Sequence, residues 1–228
     1  MNILDTVCED KTLFDTAITH PSYTKEKDLS PLYSYERLEF FGDSVLKLYS
    51  SELLFKKFPE YDEGRLSKIR SILVSDATIA KIAFEIGLNK IIKLAESEEK
   101  QGGRNRESNV ACAFEAVLGA YYLDGKHKEV KVFLEEQLSK YIEDIDNHFE
   151  RFNAKAVLQE YTQSQTKELP EYETISVTGP AHKPIFEVRV KYCGKILATA
   201  EGKSKKEAEQ NCAYQACKTL GIIEDKNE

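Results

Sequence analysis

Residues 35–46 read Tyr-Glu-Arg-Leu-Glu-Phe-Phe-Gly-Asp-Ser-Val-Leu. Leu38, Phe41 and Val45, continued by Leu48, step by three and four and predict a helix. On that helix Glu36, Glu39 and Asp43 (i, i+3, i+7) fall within about 60° of one another. Three like charges on so apolar a segment raise one another's pKa and cost stability. A hard divalent cation removes that penalty, because magnesium prefers oxygen ligands and keeps several waters, one of which can become a nucleophile. A solvated acidic face has the same spacing, and spacing alone does not separate the two.

A second stretch, Ala111-Cys112-Ala113-Phe114-Glu115-Ala116-Val117-Leu118-Gly119-Ala120, sets one acid in an apolar helix rich in Ala and Gly. A charge there is rarely buried unless it is paired or ligates a metal. Its small residues would let this helix approach another closely, and the helix carrying Gly42 is the candidate. The plain alternative for Glu115 is a salt bridge to Arg37 or Arg70.

Working outward, residues 11–146 are helical in pattern almost throughout, as in Ile69, Leu73, Ile79, Ile82, Ala83 and Ile86. Breaks at Pro21, Pro31, Pro59, Gly64, Gly87, Gly102-Gly103 and Gly125 divide them into six or seven helices. The polar residues 96–109 read as an exposed loop. After Asn147 the pattern changes. One helix over 153–166 stops before Pro170, and three alternating runs follow: Tyr172 to Val177, Phe186 to Tyr192 and Lys195 to Glu201. Ser204, with Glu207 three residues on, caps a last amphipathic helix ending near Leu220. The order is α-β-β-β-α, so the fold class is an all-α domain followed by a smaller α+β domain.

The totals agree with two domains: 228 residues, 41% hydrophobic and 31% charged. Five cysteines without a C-x-x-C pair argue against a disulfide framework and a structural zinc site, and fit a reducing cytoplasm. No signal peptide or membrane span is expected from the acidic N-terminus. The net charge of −7 is uneven: from Phe152 onward basic and acidic residues balance at 11 each, leaving 21 against 28 before it. An acidic total does not exclude a nucleic-acid partner if a local basic stripe exists.

Three C-terminal elements supply such a stripe. Gln159, Glu160 and Gln163 lie on the first helix, the two glutamines sharing a face. The turn Gly179-Pro180-Ala181-His182-Lys183-Pro184 is the second. The third is Gly202-Lys203-Ser204-Lys205-Lys206-Glu207-Ala208-Glu209-Gln210, where lysines crowd a helix N-terminus against its dipole. A row of phosphates explains them, since terminal amides and ammonium groups would face the same anions. A merely solvated lysine cluster is the alternative.

The segment from Glu36 to Leu46 closely resembles the signature of ribonuclease III. His20-Pro21-Ser22-Tyr23, Asp62-Glu63-Gly64 with Leu66-Ser67, Arg106-Glu107-Ser108, Ala113 to Ala116 and Tyr121 to Asp124 resemble segments of that family in the right order. The α-β-β-β-α part and the GKSKKEAEQ segment resemble the double-stranded RNA-binding domain. The resemblance implies a ribonuclease III catalytic domain over 1–147, a linker over 148–152, an RNA-binding domain over 153–222 and a tail over 223–228. It implies an endoribonuclease that cuts double-stranded RNA and leaves 5′-phosphates, 3′-hydroxyls and short 3′ overhangs, in the processing of ribosomal and messenger RNA. Asp43 and Glu115 would be catalytic, and Glu39, Asp43 and Glu115 would hold Mg2+, with Mn2+ possible. Glu36, Glu63 and position 112 would support them. Gln159, Glu160 and Gln163 would meet one minor groove and His182 the next, while Lys203, Ser204, Lys205 and Lys206 meet phosphates. The partners implied are double-stranded RNA and a second copy of the chain, the latter also motivated by Phe40 and Phe41 beside the acids. Neither a membrane nor a small-molecule substrate is expected.

One position departs from the family pattern: Cys112 stands where an aspartate is usual. Magnesium does not favour a soft, neutral thiol. Water filling the gap, a drift towards a softer ion such as manganese, and a catalytically impaired binder of duplex RNA are all open readings of that change. Ala156 also replaces a polar residue that relatives often carry, which puts one minor-groove contact in doubt.

Overall fold

Residues 2–180 and 184–223 are described by the computed structural model. Their contacts gather into two units, Met1–Ile145 and Asp146–Glu228.

The first unit is helical: α1 (Lys11–Ala17), α2 (Pro21–Glu26), α3 (Glu36–Lys57), α4 (Glu63–Leu73), α5 (Asp76–Glu85), α6 (Glu96–Lys100), α7 (Glu107–Leu123) and α8 (His127–Asn147). Local chemistry sets their starts. The Asp10 carboxylate accepts from the Thr12 and Leu13 N–H groups, and Asp62 accepts from Arg65 N–H at 2.8 Å. His20 starts α2: its Nδ1 accepts from Ser22 N–H at 2.9 Å, ahead of Pro21 at the first helical position.

α7 is the central helix. Ala113, Phe114, Ala116, Val117, Leu118 and Ala120 are fully buried on it, and it packs against α3, α5 and α1. Each large apolar side chain so buried contributes about 1.5–3 kcal/mol. Gly42 and Gly119 mark the crossing of α3 and α7. A Cβ on Gly42 would stand 1.7 Å from the Glu115 carbonyl oxygen, and one on Gly119 2.6 Å from the Leu38 carbonyl oxygen. The close approach expected from the small residues of α7 is made at these two glycines.

Residues 96–109 are mostly exposed, as expected, but their reading as a loop is corrected. Glu96–Lys100 is helical, a single helical turn covers Gly103–Asn105, and α7 starts at Glu107. Glu98 draws the segment inward by accepting from Arg106 at 2.6 Å and from Asn109 at 3.0 Å. The buried Asn109 also donates to the Gly103 carbonyl at 3.1 Å. A polar composition concealed the short helical turns, which Glu98 and the buried Asn109 tie together.

The second unit holds α9 (Phe149–Phe152), α10 (Ala154–Thr166), β1 (Glu171–Thr178), β2 (Ile185–Tyr192), β3 (Lys195–Gly202) and α11 (Lys205–Thr219). The strands form one antiparallel sheet in the order β1-β2-β3. Cys193 and Gly194, with φ of 49° and 72°, make the two-residue turn between β2 and β3. Val188 and Val190 pack with Leu158, Ala208, Cys212, Ala213 and Ala216 into the core. Ser204 caps α11 by accepting from Glu207 N–H at 3.2 Å, while the Glu207 carboxylate accepts from Lys203 N–H at 2.8 Å. That is a capping box closed one residue early.

The N-terminus of α10 is capped from another helix. Asn153 makes no side-chain cap. Instead the Gln210 side chain of α11 accepts from Lys155 N–H at 3.0 Å and donates to the Phe152 carbonyl at 2.9 Å. Gln210→Ala is expected to cost about 1–2 kcal/mol. Hydrogen exchange at residues 154–158 should then quicken about tenfold, while α7 is unchanged.

Candidate active site and nucleic-acid interface

The crossing at Gly42 and Gly119 decides which side chains meet. Along α7 the residues from Val110 to Tyr121 are buried except Cys112 and Glu115, which are half-buried and one turn apart. Both face α3. The Cys112 thiol donates to Glu39, and burial, that bond and the charges of Glu39, Glu115 and Asp76 push it up to about 12. It is therefore a neutral hydrogen-bond donor at neutral pH. Burial and then the charges of Asp43, Glu39 and Asp76 push the Glu115 carboxyl up to about 8, with Lys47 opposing. Lys47 donates to Asp43 at 2.7 Å, an i, i+4 pair along α3. Glu115 makes no ion pair among the described residues, and Arg70 donates instead to Ser51 at 2.8 Å.

Glu39, Asp43, Cys112 and Glu115 thus form one electrostatic cluster, joined by Asp76, which starts α5 and which the sequence pattern did not single out. Only its side-by-side packing with α7 brings it in. Two other acids lie outside. Glu36 accepts from the Ser34 hydroxyl at 3.1 Å and lines an apolar hollow beside Phe40 and Phe41. Glu63, exposed in the first turn of α4, accepts from the Ser67 hydroxyl at 2.7 Å. Among the described residues no hydrogen bond or ion pair ties either to the cluster.

Crowded carboxylates with no cationic partner for Glu115 make a donor set that fits a hard divalent cation. The thiol at 112 does not fit it. Among the described residues no three His, Cys, Asp or Glu side chains stand close enough to hold a metal ion as they are placed. Asp43 is turned onto Lys47, and Glu39 is engaged by Cys112.

In the second unit Gln159, Glu160 and Gln163 are exposed on α10, opposite the buried Ala154, Leu158 and Thr162. Lys203, Ser204, Lys205 and Lys206 are exposed where β3 gives way to α11. None of these three lysines is in an ion pair among the described residues, so the ammonium groups are not neutralised within the unit. His182 lies outside the described residues.

A family model for Ribonuclease-III-like proteins matches residues 10–142, more than half of the chain, and one for the double-stranded RNA binding motif matches residues 154–220. The chain belongs to the ribonuclease III family. Ribonuclease 3 of Streptococcus uberis is 44% identical over 213 residues, 93% of this chain and 92% of that protein. Ribonuclease 3 of Fusobacterium nucleatum is 38% identical over 213 residues, 93% of this chain and 91% of that one. Among solved structures, the nuclease domain of a ribonuclease III from Campylobacter jejuni is 38% identical with a TM-score of 0.55, covering 60% of this chain and 92% of that domain. That structure is described as showing flexibility in a region involved in dimer formation. The fold is accordingly an all-α ribonuclease III nuclease domain followed by an α+β double-stranded RNA-binding domain. Among the described residues no helix is long and apolar enough to cross a membrane.

Proposed function

We propose that this ribonuclease III-family endoribonuclease hydrolyses double-stranded RNA with a divalent cation, Mg2+ or Mn2+, held by Glu39, Asp43 and Glu115. Cleavage leaves 5′-phosphates, 3′-hydroxyls and short 3′ overhangs, and serves the maturation of ribosomal and messenger RNA in the cytoplasm. The observation that carries the reading is the α3–α7 crossing, which sets a half-buried Glu115 against Asp43 and Glu39.

When bound, the ion supplies charge stabilisation for the phosphoryl oxygens and a water acidified enough to attack phosphorus. The chain's own groups do the rest. Glu115, pushed up to about 8, carries a proton at neutral pH in the metal-free protein, and would release it to solvent on holding the ion. Lys47 neutralises Asp43 in the meantime. Cys112 holds Glu39 in place by donating to it, an orienting role for which a neutral thiol suffices. In the second unit Gln159 and Gln163 meet a minor groove, and Lys203, Lys205 and Lys206 hold phosphates. Binding is then sequence-tolerant and salt-dependent.

The enzyme works as a homodimer. Phe40, 79% exposed, and Leu48 and Phe55, also exposed, lie on one side of α3. Phe40 stands at the rim of an apolar hollow of about 710 Å³ lined by Leu13, Leu32, Tyr33, Phe41 and Leu123. An exposed knob beside an apolar hollow suits a two-fold contact between copies of the chain. Phe40→Glu is expected to convert the dimer to monomer in sedimentation at micromolar concentration, with the loss of most cleavage.

The direct test is incubation of the purified chain with a long RNA duplex, with and without Mg2+ or Mn2+, beside Glu115→Gln. Metal-dependent cutting to short products with 5′-phosphates is expected from the wild type alone. If both proteins bind duplex and neither cuts it, the chain is a non-cleaving RNA binder disabled at Cys112. A gain with Cys112→Asp would then locate the defect.

A further inference from the structure

We propose that Asp124 is a positioning residue for the pairing of two copies of the chain, fixing the hollow beside Phe40, a role that rests on the homodimer reading of that hollow. Asp124 directly follows α7, and its own N–H donates to the Ala120 carbonyl at 2.9 Å. A carboxylate there faces the negative end of the helix dipole and is disfavoured. Two backbone amides offset that cost. The Asp124 carboxylate accepts from Glu9 N–H on one oxygen and from Asp10 N–H on the other, each at 2.9 Å. The bond from Asp10, and then the one from Glu9, hold the Asp124 carboxyl below the usual carboxylate range.

The place of those amides gives Asp124 its role. Asp10 starts α1, its own carboxylate accepting from Thr12 and Leu13 N–H at 2.9 and 3.1 Å. Asp10, Thr12 and Leu13 line the hollow, and so does Leu123, the residue before Asp124. Asp124 therefore ties the start of α1 to the end of α7 where both border the hollow. The plain alternative is a clasp that only keeps residues 2–10 on the nuclease domain. Other bonds already do that. The Tyr121 hydroxyl donates to the Thr6 carbonyl at 2.9 Å, the Asn2 side chain donates to the Ile86 carbonyl at 3.3 Å, and Lys126 pairs with Glu9 at 2.7 Å. None of these residues lines the hollow beside Phe40. Thr6 and Tyr121 line a separate, smaller one.

The test is sedimentation equilibrium of the full chain as wild type, Asp124→Asn, Tyr121→Phe and Phe40→Glu. Asparagine keeps the shape of Asp124 but offers one acceptor oxygen, so one of the two N–H groups loses its partner. Neither Asp124→Asn nor Tyr121→Phe removes a packed carbon, so both keep the fold and lose a similar few degrees of Tm. Asp124→Asn should raise the dimer dissociation constant about tenfold, and Tyr121→Phe by less than about twofold. Duplex cleavage by Asp124→Asn should fall at low chain concentration and regain the wild-type rate per dimer when the concentration is raised. An unchanged dissociation constant for Asp124→Asn would overturn the proposal. So would an equal weakening by Tyr121→Phe, or cleavage that stays low once the dimer is restored. If the wild type sediments as a monomer, or Phe40→Glu pairs as tightly as the wild type, the homodimer reading has itself failed, and the role of Asp124 falls with it.

Discussion

Glu115→Gln should abolish duplex cleavage, by on the order of 10³-fold, and should stabilise the metal-free protein as pH rises. The Glu115 carboxyl goes from an ordinary 4.5 to about 8 in the folded chain. A group raised on folding contributes stability that is complete below its unfolded value and is lost as pH climbs through the folded value. The wild type should therefore weaken relative to Glu115→Gln between about pH 4.5 and 8, and run parallel to it above that. With Glu115 partly open to solvent, the difference is about 2 kcal/mol, or about 5 °C in Tm. Calorimetry in EDTA across that range measures it, and saturating Mg2+ should reverse it. A variant no more stable than the wild type at pH 8.5 would mean that Glu115 is not crowded by other carboxylates.

Gly42→Ala should be among the most damaging single-methyl changes in the chain. Alanine is the better helix former by about 1 kcal/mol, so an open site would gain stability. Here the added carbon meets the Glu115 carbonyl oxygen at 1.7 Å, with backbone on both sides. The helices can relieve this only by separating, at a cost of about 3 kcal/mol. Separation also moves Glu115 away from Asp43, and a displacement of about 1 Å in a catalytic group costs about 10²-fold in rate. Urea unfolding and cleavage rates should show both losses. Gly64→Ala, whose added Cβ would meet nothing nearer than 3.6 Å, is the control.

Much of this was legible in the residues, and what was hidden has a physical reason. Helical and strand periodicities report which positions one element buries, so the long α3, the Ser204 start of α11 and the three strands could be read directly. Periodicity also put Glu36, Glu39 and Asp43 on one face, but it cannot say where a flexible side chain then goes. Glu36 swings to the Ser34 hydroxyl and the apolar hollow, leaving Glu39 and Asp43 towards α7. The closeness of α3 and α7 was foreshadowed by Gly42 and the small residues around Gly119. Asp76 was not, because it joins the cluster through the packing of a third helix and no spacing along the chain encodes that. Gln210 was equally silent, as its bonds reach Phe152 and Lys155 more than 50 residues away. In 96–109 composition told the exposure but hid the helical turns, which side-chain bonds such as Glu98 to Arg106 and Asn109 hold together.

The most direct measurement is anomalous diffraction from crystals of the full chain soaked in Mn2+. The account predicts a strong peak between the carboxylates of Glu115 on α7 and Asp43 and Glu39 on α3, absent from Glu115→Gln crystals. No peak there at saturating Mn2+, with Asp43 still held by Lys47, would contradict it.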